Sequence, residues 1–215
     1  MDIDYVVSIL PYILEGLETT LLVFVFALVF SLIIGITLGV TATSKYKVLN
    51  RTIWAYTWIF RGTPLLLQLY FGMYGLPSFG IVLDRLNVAI LIFSLNYGAY
   101  FTEIIRGSIL SIDKGQFEVS KTLGFGYIQT YIFIIIPQAI KRSIQAVGNE
   151  TITLVKDTAL IAAIALNDLL RNAKEIVSRD FRVEAFFVVG VIYIMLSLVI
   201  VYIFKKFEKK YSYFR

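Results

Sequence analysis

Uncharged runs set the layout of this chain. Residues 19–44, 62–83 and 185–204 carry no Asp, Glu, Lys or Arg, and a shorter run at 86–102 is extended by Asn and Tyr toward Glu103. A helix needs about 20 apolar residues to cross the roughly 30 Å hydrocarbon core of a bilayer. Four such runs in 215 residues point to membrane spans rather than to the buried helices of a water-soluble core. The stretch 122–167 is less clear-cut. Residues 122–140 are uncharged, and 143–166 qualify only if Glu150, Lys156 and Asp157 are tolerated at membrane depth.

Charge placement decides between these two. Lys and Arg are retained on the cytoplasmic side. The segment before residue 19 holds Asp2, Asp4, Glu15 and Glu18 with no base, whereas the tail holds Lys205, Lys206, Lys209, Lys210 and Arg215 against Glu208. The N-terminus is thus expected outside and the C-terminus inside, which requires an odd number of spans. Five result, at about 19–44, 62–83, 86–106, 143–166 and 185–204, with a cytoplasmic loop over 107–140. Lys141 and Arg142 then flank the fourth span, and 127–136 lies along the inner surface or packs on other helices. Lys45, Lys47 and Arg51 fall inside. The loops 77–85 and 167–184 fall outside, the latter balancing Arg171, Lys174, Arg179 and Arg182 with Asp168, Glu175, Asp180 and Glu184. The fold class is all-α, a polytopic membrane protein forming one domain over 1–215.

Local punctuation adds two features. Asp113 with Gln116 three residues on reads as a capping box, and Gly124 supplies a left-handed stop, so a short helix lies between the third and fourth spans. Arg61-Gly62-Thr63-Pro64 reads as a helix start, with Thr63 as N-cap and Pro64 at the first helical position. Residues 53–60, with Trp54, Tyr56 and Trp58, then form a separate interfacial piece. A continuous helix kinked at Pro64 remains the alternative.

Composition narrows the function. The chain is 58% hydrophobic and 16% charged with a mean hydropathy of +0.78, where a soluble domain is about half apolar and a quarter charged. It contains neither cysteine nor histidine, which removes disulfides, thiol chemistry and the commonest metal ligand and general base. No catalytic set and no metal site is expected. No GxxxxGK[ST] phosphate loop occurs, so any work against a gradient draws on a partner or a coupled ion. The acidic N-terminus does not resemble a signal peptide. The net charge of +5 resides in membrane-flanking clusters, which argues for topology anchors and against nucleic acid.

The stretch from Gly115, with Glu118-Val119-Ser120, Gly124 and Ile136-Pro137, resembles the cytoplasmic EAA loop of ABC-importer permeases. Gly115-Gln116 and Pro137-Gln138-Ala139 match its form in permeases for polar amino acids. So do Arg61-Gly62-Thr63-Pro64, Glu103-Ile104-Ile105-Arg106-Gly107 and Leu154-Val155-Lys156-Asp157-Thr158. Val119-Ser120 departs from the two alanines of the pattern. The resemblance implies a permease working as a pair, homodimeric or with a paralogue, in the bacterial cytoplasmic membrane. It also implies a cytoplasmic ATP-binding subunit carrying ATP and Mg, and an extracytoplasmic solute-binding protein. This chain would itself need no cofactor. The coupling helix runs over Gln116–Gly124, with Gly115, Gln116, Glu118, Ser120, Leu123 and Gly124 as its coupling residues and Glu118 meeting the ATPase groove. A self-contained secondary transporter or channel is the alternative; the repeats and interrupted helices it needs in matching halves are not visible.

Ionisable residues at membrane depth are functional candidates because each costs about 2.5–3.5 kcal/mol to insert. Asn96, Tyr100 and Glu103 recur at helical spacing on one face. They are expected to face Lys156, Asp157 and Thr158 across a polar cavity. Two acids against one lysine leave room for a cationic side chain, so arginine, lysine or histidine is the favoured substrate. Two pairings stay open: Arg106 neutralising Glu103, and Lys156 pairing with Glu150 or Asp157.

Overall fold

The computed structural model describes residues 2–211, and every element in it is helical. Arg215 of the basic tail lies outside the described residues. The helices are α1 (Ile3–Thr41), α2 (Lys47–Gly62), α3 (Leu65–Tyr70), α4 (Arg85–Leu110), α5 (Lys114–Thr122), α6 (Tyr127–Thr130), α7 (Ile136–Asp157), α8 (Leu169–Asp180) and α9 (Glu184–Tyr211). Among the described residues, Ile3–Thr41, Arg85–Leu110 and Glu184–Lys210 are long and apolar enough to cross a membrane on their own. The other two expected spans are pieced together. α3 continues into a π turn, Phe71–Gly75, and a 3-10 turn, Leu76–Phe79, while α7 ends in a 3-10 turn, Thr158–Ile164.

α4 is the central post. Phe93, Tyr97 and Phe101 are fully or almost fully buried, and α1 packs along its length. The contact face of α1 is a stripe of mostly small residues that includes Ala27, Ser31, Gly35 and Gly39. Small residues let membrane helices approach closely, which maximises van der Waals contact where no hydrophobic drive operates between helices. The approach is tight: a Cβ on Gly35 would lie 2.3 Å from the Phe101 Cβ, and one on Gly39 2.7 Å from the Ile105 Cβ. The helical stretch of α1 also begins far earlier than its uncharged run, because Asp2 caps it by accepting from the Tyr5 N–H.

One expected boundary moves. Residues 127–157 form one helical stretch, so the helix expected from 143 starts earlier; Tyr131 and Ile135 are buried against Ile105 and Ile109 of α4, in keeping with the packed alternative for 127–136. A π turn, Tyr131–Ile135, precedes Pro137. The wider hydrogen-bonding step accommodates a proline that lacks a donor. Lys141 and Arg142 therefore sit within the helix instead of marking its start. Arg142 reaches across to the Ser111 carbonyl, the last cap of α4, where the negative end of the helix dipole favours a cation.

At the opposite end, α8 folds back on α1. Asp168 caps α8 through the N–H groups of Arg171 and Leu170 and is fully buried. A Cβ on Gly16 would meet the Asp168 backbone at 2.3 Å. Burial pushes the Asp168 carboxyl up to about 6, against the two N–H bonds that favour its charge. At the other end of α8, hydrogen bonds from Arg179 and then Tyr5 hold the Asp180 carboxyl down at about 2.

Candidate functional site

The break between α2 and α3 organises the site. Thr63 is extended, and Pro64 rather than Thr63 is the N-cap of α3. The interrupted reading therefore holds, shifted by one residue. Pro64 has no N–H, so the Phe60 carbonyl four residues earlier loses its helical donor. Two side chains replace it. Asn96 Nδ2 donates to Phe60 O at 2.9 Å and to Gln68 Oε1 at 3.1 Å, and Gln68 Nε2 donates to Phe60 O at 2.9 Å. Asn96 is buried, so its amide is spent on the break.

About two turns further along α4, Glu103 accepts from Thr57 Oγ1 at 3.2 Å and from Arg106 Nη2 at 2.7 Å. Arg61 stands 3.9 Å away. The pairing of Arg106 with Glu103 is thus formed. Arg61 also lies over the Tyr100 ring, 5.3 Å from its centroid. Tyr100 and Tyr97 rings are 6.0 Å apart, and Tyr97 donates its hydroxyl to Asp157 Oδ2 at 2.6 Å. A continuous line of groups runs Arg61, Tyr100, Tyr97, Asp157, with a cation at one end and a carboxylate at the other. Glu150, two turns before Asp157 on α7, lies within electrostatic reach of both Arg61 and Asp157.

The expected six residues are therefore only partly assembled. Tyr100 and Asp157 share one cluster through Tyr97. Asn96 is committed to the helix break and Glu103 to its arginines. Lys156 is exposed, and among the described residues it forms no ion pair with Glu150 or Asp157. Thr158 is fully buried and donates to Val155 O at 2.7 Å, an interaction internal to its own helix. Sequence reasoning missed Tyr97 and Gln68 and underused Arg61. The carbonyl orphaned by Pro64 was the available signal for Gln68, four residues after it.

α5 forms where expected but ends at Thr122. Asp113 caps it by accepting from the Gly115 N–H at 2.6 Å. The reciprocal half of the capping box is absent: Gln116 Oε1 accepts instead from Gln138 Nε2 of α7 at 3.2 Å. At the other end Gly124 has φ +81°. Phe125 N–H reaches Ser120 O and Gly124 N–H reaches Lys121 O, the paired bonds of a Schellman stop. Gln116, Glu118, Leu123 and Gly124 are exposed, Gly115 is half-buried, and Ser120 is buried with its hydroxyl on Gln116 O. Ser120 thus faces the protein rather than a partner. Phe117 packs on Tyr131 at 5.9 Å, and Tyr131 meets Thr43 at the end of α1. α5 is pinned to α7 and reaches α1 through Tyr131.

Comparison with known proteins agrees with this architecture. Residues 31–213 match the family described as binding-protein-dependent transport system inner membrane component. The chain is 38% identical over 214 residues to the arginine transport system permease protein ArtQ of Bacillus subtilis, covering 98% of each. It is 33% identical over 204 residues to the glutamine transport system permease protein GlnP of Escherichia coli, covering 94% of this chain and 93% of that one. A crystal structure of an amino acid ABC transporter with histidines superimposes with a TM-score of 0.88 at 31% identity, over 98% of this chain and 99% of the other. The chain belongs to the binding-protein-dependent transport system inner membrane component family, as an ABC-importer permease subunit of the polar amino acid uptake type.

Proposed function

We propose that this chain lines the pathway of an ATP-driven importer of cationic amino acids in the bacterial inner membrane. The supporting observation is the line from Arg61 through Tyr100 and Tyr97 to Asp157. An amino acid needs a cation for its carboxylate and acceptors for its ammonium and side chain. Arg61 is only loosely engaged with Glu103 and serves the carboxylate. Asp157 and Glu150 form the acidic end and favour arginine, lysine or histidine. Two relatives are named for arginine and for glutamine, so the acidic pair carries the choice between them.

The chain crosses the membrane five times, with the α5 side cytoplasmic, and works with a second permease copy, an extracytoplasmic solute-binding protein and a nucleotide-binding subunit holding ATP and Mg. α5 is the coupling helix. Gln116, Glu118, Leu123 and Gly124 meet the ATPase, and Gln138 and Tyr131 relay its displacement into α7. Uptake of labelled arginine into proteoliposomes containing all components, competed by a panel of amino acids, tests this. Competition by cationic amino acids only is expected. Competition by glutamine or glutamate would sink the cationic assignment, and no ATP-dependent uptake would return the self-contained transporter to first place.

A further inference from the structure

On the α5 side of the central cluster lies a cavity of about 420 Å³, bounded by Ala42, Asn50, Arg51, Trp54, Glu103 and Arg106. It meets the line that ends on Asp157 only at its Arg61 end, where Arg61 stands 3.9 Å from Glu103; Tyr100, Tyr97 and Asp157 do not line it. Asn96 and Glu103 are seven residues apart on α4, about 10 Å along the axis at 1.5 Å per residue, so the cavity is displaced toward α5 by that distance.

The charge in this cavity is unbalanced. Glu103 is already matched by Arg106 at 2.7 Å and approached by Arg61 at 3.9 Å. Arg51 is exposed and has no hydrogen bond, ion pair or ring contact among the described residues. Two guanidinium groups, Arg106 and Arg51, therefore line a cavity that holds a single carboxylate, already paired to Arg106. The backbone that presents Arg51 is fixed: Asn50 donates from Nδ2 to Ser44 O at 2.7 Å, which ties the first turn of α2 to the end of α1. Trp54 forms a wall, its indole stacked on Trp58 with ring centroids 6.1 Å apart. An unpaired, planar fork beside a second guanidinium fits a compact two-oxygen anion, because such groups accept two parallel hydrogen bonds. The exposed indole face next to it suits a cation.

We propose that this cavity is a second amino-acid site, in which Arg51, with Arg106 beside it, binds the α-carboxylate of substrate that has left the central cluster. The assignment rests on the proposed function for its substrate class and for the α5 side being cytoplasmic. Substrate enters it from the pathway, and amino acid already in the cytoplasm occupies it from below. A filled site then slows release, so internal amino acid restrains uptake.

The test uses the complete importer in proteoliposomes preloaded with ATP and graded unlabelled arginine, with uptake of external labelled arginine expressed relative to arginine-free vesicles. Agmatine, which lacks the carboxylate, replaces internal arginine in a parallel series. Internal arginine is expected to inhibit and agmatine not to. Arg51→Gln is expected to raise the half-inhibitory arginine concentration about tenfold, the effect of losing a charge-assisted bond. Arg51→Lys should fall between, since an ammonium keeps the charge without the fork. No inhibition by internal arginine, equal inhibition by agmatine, or an unchanged Arg51→Gln curve would each overturn the site. The same is true if the Arg51→Gln effect appears in vesicles containing phosphatidylglycerol and vanishes in phosphatidylcholine, because Arg51 then reads a lipid phosphate. Wild-type vesicles that take up no amino acid under ATP would overturn the proposed function and this site with it; normal uptake with unaltered inhibition would overturn the site alone.

Discussion

Asp157 and Tyr97 are where a single atom changes most. Asp157 Oδ2 accepts a 2.6 Å bond from the Tyr97 hydroxyl, and the carboxylate has no cation paired to it among the described residues. Asp157→Asn keeps the shape and removes the charge. Uptake of arginine should fall roughly tenfold to a hundredfold, the range for charged hydrogen bonds, and an unchanged kcat/KM would remove Asp157 from the substrate site. Tyr97→Phe should have a smaller effect, since it frees the carboxylate without altering its charge. At this scale the sequence was half legible. Asp157 and Tyr100 stood out as polar groups at membrane depth, and Glu103–Arg106 as a pair at helical spacing. Tyr97 looked like one more aromatic, and nothing in spacing alone reveals which hydroxyl faces a carboxylate on another helix. Thr158 was misread for a related reason: a hydroxyl in an apolar helix can satisfy itself on a carbonyl three or four residues back.

At the scale of elements, α5 and α7 act together. α7 runs 22 residues from Ile136 to Asp157, about 33 Å at 1.5 Å per residue. One end is bonded to α5 through Gln138 and Gln116, and the other carries Asp157. A rigid helix joining the proposed coupling helix to a polar cluster is the kind of two-state lever by which a subunit's movement is transmitted. Gly124→Val places a β-branched residue at φ +81°, a conformation that bulky residues scarcely adopt. It should unwind the stop of α5 and leave ATP hydrolysis running with little transport; measured hydrolysis and uptake that stay in their wild-type ratio would refute the lever. The short helix itself was readable from Asp113 and Gly124. The start of the following helix was not, because the Lys141-Arg142 pair imitates a boundary. The π turn that absorbs the proline leaves no mark in hydrophobic periodicity, and Arg142 of the basic pair is explained by the cap of α4 it docks on.

Across the whole molecule, stability depends on two close seams. At the first, Gly35→Leu must displace the Phe101 side of α4, and overpacking of this kind costs about 1–3 kcal/mol. Thermal unfolding in detergent should shift downward, whereas the same change at Gly107, which has nothing within 4 Å of a Cβ, should shift it far less. At the second, Asp168 is raised from an ordinary carboxyl value of 3.8 to about 6 by burial. The folded state therefore prefers the protonated acid. Its contribution is greatest below about pH 4, declines as pH rises toward 6, and is flat above. Asp168→Asn retains a cap for α8 and abolishes that titration. Relative to this variant, the wild-type protein should gain melting temperature on acidification from pH 7 to 4.5; parallel curves would show that the carboxyl does not titrate in this window.

The α1–α4 seam also has a consequence in time. α1 is synthesised first, but the surface that fits its small residues is not complete until Leu110. At roughly 5–20 residues per second, the gap between Thr41 and Leu110 lasts several seconds. For that interval α1 waits in the bilayer with its glycine stripe unmatched, open to any neighbouring helix smooth enough to fit. A ribosome stalled within α4 would strand it there, so one of the tightest contacts in the finished protein marks an exposed moment of its biogenesis.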